Sequence, residues 1–71
     1  MELIVMNNLA KAIREKGMTQ AQFAEKIGID QSNVSKLCKQ KSFTLQRLQE
    51  ILEALNETDV SKVIRVVEIK K

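Results

Sequence analysis

Only two residues in this 71-residue chain can bend the backbone freely: it has no proline, and its glycines are Gly17 and Gly28. They cut the first half of the chain into short pieces, and the pattern between them is helical. Asn7 and Asn8 are good N-cap residues, and Leu9 and Ile13 with the small Ala10 and Ala12 fit a helix to about Lys16. Gly17 ends that helix as a left-handed cap. Thr19 opens a second helix, and Gln22 three residues later completes a capping box. Phe23, Ala24 and Ile27 share one face of it, and Gly28 stops it. Asp30 caps a third helix with the apolar stripe Val34, Leu37 and Cys38. A polar, basic loop (Lys39-Gln40-Lys41-Ser42) leads to Thr44, which caps a fourth helix. There Leu45, Leu48, Ile51, Leu52 and Leu55 form the clearest amphipathic pattern in the chain. Met6 and Met18 are expected to fill the core.

The tail has two readings. Val60, Val63, Ile64 and Val67 would satisfy a helical stripe. Yet Val60, Val63, Ile64, Val66, Val67 and Ile69 are all β-branched, stiff at χ1 and suited to a pleated surface. The β-branching favours a strand from about Val63 to Ile69, with Leu3-Ile4-Val5 as a second short strand. The expected fold is mainly α, one domain over residues 1–71: four helices and a short terminal strand.

A domain of this length buries only about 60% of the surface its unfolded chain exposes, so outside support is expected. One cysteine and no histidine rule out a disulfide framework and a typical zinc cluster, which leaves a partner subunit. Without histidine the usual general base and most catalytic triads are also missing, and no glycine-rich loop could cradle phosphate. No enzyme activity, metal or cofactor is expected. Cys38 lies on an apolar stripe and reads as a packing residue. Glu50, Glu53 and Glu57, which could suggest a cation site, read as solvated surface. The apolar start is short and carries Glu2 where a signal peptide would carry bases, and no run is long enough to span a bilayer. A cytoplasmic protein is expected. The formal net charge is +3, and its distribution says more than its size. No acidic residue lies between Asp30 and Glu50, a stretch that holds Lys36, Lys39, Lys41 and Arg47. That stretch is built to face negative charge.

The segment from about 20 to 39 reads as two short helices joined by a tight turn at Gly28. Ala24 is small enough for a close helix crossing, and Ile29, Val34 and Leu37 would pin the second helix to the body. Gln20, Ala24, Gly28, Val34 and Leu37 stand at spacings that resemble the DNA-binding core of Cro- and repressor-type (Xre-like, lambda-repressor-like) regulators, over roughly residues 8 to 56. The resemblance implies a helix-turn-helix whose second helix lies in the major groove of double-stranded DNA. At about 100° per residue, Ser32, Ser35, Lys36 and Lys39 fall opposite the buried stripe, with Gln31 at the flank. Family positions for base contact map onto Gln31, Ser32 and Lys36, with Ser35 as a fourth. Gln20, Asn33, Lys39, Lys41 and Thr44 are expected to meet phosphates.

One reading helix touches few base pairs, so a two-fold dimer on a pseudo-palindromic operator is expected. The tail, about residues 60–71, is the candidate dimer element. An open β-branched edge through Val63, Ile64, Val66, Val67 and Ile69 invites an intermolecular sheet with its twin. Two functions stay open. One is a stand-alone dimeric transcriptional repressor, as in phages or plasmids. The other is an antitoxin that binds its own promoter and a toxin protein, since a terminal dimerising strand also resembles helix-turn-helix antitoxins.

Overall fold

Helix boundaries fall where a capping side chain or a left-handed residue puts them. In the computed structural model, which describes residues 1–70, the elements run β1 (Glu2–Asn7), α1 (Leu9–Glu15), α2 (Gln20–Ile27), α3 (Gln31–Leu37), α4 (Leu45–Leu55), a 3-10 turn (Val60–Lys62) and β2 (Ile64–Ile69). Lys71, the last residue of the expected dimerisation segment, lies outside the described residues. Gly17 and Gly28 both take the left-handed conformation, at φ +72° and +82°. The capping box of α2 is complete: Gln22 N–H donates to Thr19 Oγ1 at 3.1 Å, and Thr19 N–H donates to Gln22 Oε1 at 2.9 Å. Thr44 Oγ1 accepts from Arg47 N–H at 3.0 Å to start α4, which ends at Asn56 with φ +53°.

Two expected caps work differently. Asn8 and Asp30 occupy the N-cap positions of α1 and α3, yet neither side chain makes a cap bond. Leu9 N–H is instead satisfied by Asn7 Oδ1 at 2.9 Å.

The core draws on every helix: Leu9 and Ile13 from α1, Phe23 and Ala24 from α2, Val34 and Leu37 from α3, Ile51 and Leu55 from α4. Burying a side chain of the size of Leu or Phe is worth about 1.5–3 kcal/mol, so this cluster carries most of the fold. Val63 joins it, fully buried. That corrects its place among the dimer-forming residues, because its side chain is already spent on the core. Met6, expected inside, is 48% exposed on β1, and Leu45 at the first position of α4 is 85% exposed. The inward stripe of α4 begins one turn later, at Leu48.

The tail takes the strand reading, with β2 over Ile64–Ile69 after a single tight turn at Val60–Lys62, and the helical stripe through Val67 is not formed. The strand meets its first partner within the chain. β1 and β2 run antiparallel, from Glu2 opposite Ile69 to Asn7 opposite Ile64. The packed helices bring the two ends together at Asn8, whose N–H donates to Val63 O at 2.7 Å and whose Nδ2 donates to Lys62 O at 3.3 Å. Once those ends meet, Leu3-Ile4-Val5 is the nearest unpaired backbone β2 can find. Each strand keeps its other edge open, since the sheet has two strands.

Candidate nucleic-acid interface

The pair α2–α3 depends on a sharp turn and a close crossing. Gly28 takes the left-handed conformation that lets Gly28 and Ile29 N–H both donate to Ala24 O, at 2.9 and 3.1 Å. Ala24 is buried at the contact, and the small side chain allows the helices to approach. Asn33 and Val34 N–H donate back to Asp30 O at 2.9 and 3.1 Å, so α3 starts at Gln31, three residues after the glycine. Val34 and Leu37 fasten α3 to the core.

The opposite face is polar and open. Gln31, Ser32, Asn33, Lys36 and Lys39 are exposed, and Ser35 is half-buried where the helix turns toward the body. Among the described residues none of these side chains makes a hydrogen bond or ion pair, so each is available to a ligand. Three ion pairs occur there: Lys11–Glu15, Lys16–Glu57 and Arg47–Glu50, at 3.7, 3.3 and 3.7 Å. None uses Lys36, Lys39 or Lys41. The surface from Gln31 to Gln49 therefore presents basic groups with no acidic side chain in that part of the sequence.

The other expected contact residues fall as follows. Lys41 is exposed in the loop after α3 and lines a shallow cleft with Ser42, Phe43, Val5 and Ile64, which sets the basic loop beside the strands. Thr44 is exposed and its oxygen is engaged in capping α4, while its hydroxyl proton stays free to donate. Gln20 is half-buried at the first position of α2 and makes no bond to Gln31. Cys38 is half-buried, and burial pushes its thiol above the ordinary range, as suits a packing residue rather than a reactive thiolate.

Glu57 is more than solvated surface. Its carboxylate accepts from Thr58 and Asp59 N–H at 3.1 and 3.3 Å and pairs with Lys16, which ties the end of α4 to α1. One residue of the site was not evident from sequence. Asn7 serves α1 as expected, but its Nδ2 also donates to Leu37 O and Gln40 O, each at 2.9 Å, at the far end of α3. The available signal was the missing glycine after α3, which leaves carbonyls in need of a donor.

No helix among the described residues is long and apolar enough to cross a membrane, and no three metal-ligating side chains gather there. A family model described as helix-turn-helix matches residues 9–63, from the first residue of α1 to the buried valine before β2. No curated protein and no solved structure matches the chain. With the match covering all four helices, the chain belongs to the Cro/Xre-type helix-turn-helix family of DNA-binding transcription regulators.

Proposed function

We propose that the chain is a dimeric repressor that lays α3 in the major groove of a pseudo-palindromic operator. Gln31, Ser32, Lys36 and Ser35 read base edges, and Gln20, Asn33, Lys39, Lys41 and Thr44 hold phosphates. The observation that carries this is the division of α3: Val34 and Leu37 are sunk in the core while Gln31, Ser32 and Lys36 stand exposed without partners. Such a face has hydrogen-bonding capacity to spend and no internal use for it.

Dimerisation is assigned to the terminal ribbon. Paired residues in an antiparallel ladder share a face. Ile4, Met6, Val67 and Ile69 therefore lie on one side, and Leu3, Val5, Val66 and Ile64 on the other. Most are exposed, Val5 and Val66 by 60% and 58%. An isolated two-stranded ribbon is marginal in water, and this one is apolar on both sides with two open edges. A second copy of the ribbon supplies the missing cover. Two reading helices then fall on successive major grooves, about 34 Å apart.

Selection of binding sites from a random duplex pool, at stated salt, tests the reading. The expected result is a two-fold symmetric site with half-sites one helical turn apart. Enrichment of no sequence over bulk competitor would remove the proposal. An antitoxin would instead keep a stoichiometric protein partner through native purification from its host.

A further inference from the structure

The end of α3 has no built-in stop. No glycine follows it, its C-cap residue Cys38 stays right-handed, and the chain leaves through Lys39 and Gln40. A helix that ends this way has carbonyls that need donors from elsewhere. Here the donor comes from thirty residues away in sequence. Asn7 Nδ2 gives one proton to Leu37 O and the other to Gln40 O, while Asn7 Oδ1 accepts from Leu9 N–H, all three at 2.9 Å.

Only a primary amide meets these demands, with two donors on one atom and an acceptor on the other. Aspartate would keep the acceptor and replace both donors with charge aimed at two carbonyl oxygens. Asn7 is also the last residue of β1, opposite Ile64. One side chain thus joins three things: the ribbon, the start of α1 and the exit from α3.

We infer that Asn7 is a positioning residue of the DNA interface. Its amide fixes the end of α3 relative to the ribbon, and so sets the angle at which Gln31, Ser32 and Lys36 reach base edges. This rests on α3 being the reading helix, and it adds what holds that helix at its angle. The same amide also links the ribbon, where a second copy is proposed to dock, to the end of the reading helix.

Asn7→Asp and Asn7→Ala in the full chain test the inference by two readouts. The first needs no DNA. Amide hydrogen exchange at Cys38, Lys39 and Gln40, which bond to Val34, Lys36 and Leu37 carbonyls, should quicken about fivefold, the effect of losing roughly one net hydrogen bond. Phe23 and Leu48, bonded inside α2 and α4, should keep their protection in Asn7→Asp. The second readout is affinity for the selected operator and for a random duplex at the same salt. The operator should lose about five- to tenfold and the random duplex less than about twofold.

Unchanged exchange at the end of α3 would overturn the inference. So would equal losses on both duplexes, which would mark Asn7 as a stability residue only. If the reading of α3 itself is wrong, the unmutated chain will already fail to prefer the operator, which separates the two failures.

Discussion

Replacing Val66 with lysine separates assembly from folding. Val66 lies opposite Val5 on one face of the ribbon and is 58% exposed in the single chain. Full burial of a valine is worth about 1.5–3 kcal/mol, so the smaller part already buried contributes roughly 1 kcal/mol to the fold. A melting temperature lower by about 4–8 °C is the expected cost for a domain of this size. In the dimer the exposed part of Val66 would also be covered, and two-fold symmetry counts it twice. With 58% of the side chain newly covered on each chain, the loss is about 2–3.5 kcal/mol per dimer before the desolvation of two ammonium groups. The dimer dissociation constant should therefore rise by at least about 25-fold. Sedimentation equilibrium reads the constant, and thermal melting followed by circular dichroism reads the fold. Binding to a two-half-site operator should weaken while binding to a single half-site stays the same. An unchanged dissociation constant, with the modest melting shift present, would show that the dimer is built elsewhere.

Other expectations can be checked alongside. Lys41→Ala should weaken binding about evenly across sequences and reduce the slope of log affinity against log salt by about one, whereas Gln31→Ala should cost about 1–3 kcal/mol at the preferred site and relax one base position. Competition titrations on specific and random duplexes distinguish the two, and identical behaviour would refute the division of roles. Gly28→Ala should destabilise by about 1–2 kcal/mol from backbone strain alone, because φ is +82° and an added Cβ meets nothing within 4 Å. A urea titration measures it, and a loss well above that range would mean the turn is packed more tightly than described. The carboxyls of Glu57 and Asp59 are both held below their ordinary values, Glu57 chiefly by the Asp59 N–H and Asp59 chiefly by the Ser61 hydroxyl. Their contribution to stability is complete above the ordinary values of 4.5 and 3.8 and disappears as pH falls through the lowered ones. Melting temperature should accordingly drop on the acid side, and Glu57→Gln should flatten that drop. An unaltered acid limb in Glu57→Gln would count against the role given to Glu57.

The sequence was most legible where one residue decides a local conformation. Gly17, Gly28, Thr19 and Thr44 mark their turns and caps by chemistry that acts within four residues, so the helix boundaries followed from them. The split of α3 into a core side and an open side followed from spacing, because Val34 and Leu37 can reach the body only from one face. Residues whose partners lie far along the chain were harder to place. Val63 looks like any other β-branched residue of a strand, and only the fold reveals that it completes the core. Met6 and Leu45 are apolar by composition, yet their positions at a ribbon and at a helix start leave them in water. The second task of Asn7 was hidden for the same reason: its partners, Leu37 and Gln40, are neighbours only once the helices have packed.

The pairing of β1 with β2 also has a kinetic meaning. The α2–α3 pair is close in sequence, whereas the ribbon joins the two ends of the chain, and its strands meet only where the packed helices bring Asn8 to Val63. The helical body should collapse first and the ribbon zip up last. Substitutions on the ribbon should then leave the refolding rate nearly alone and hasten unfolding instead. For the proposed dimer the order has a consequence: the surface assigned to self-association would form only after the helical unit is complete.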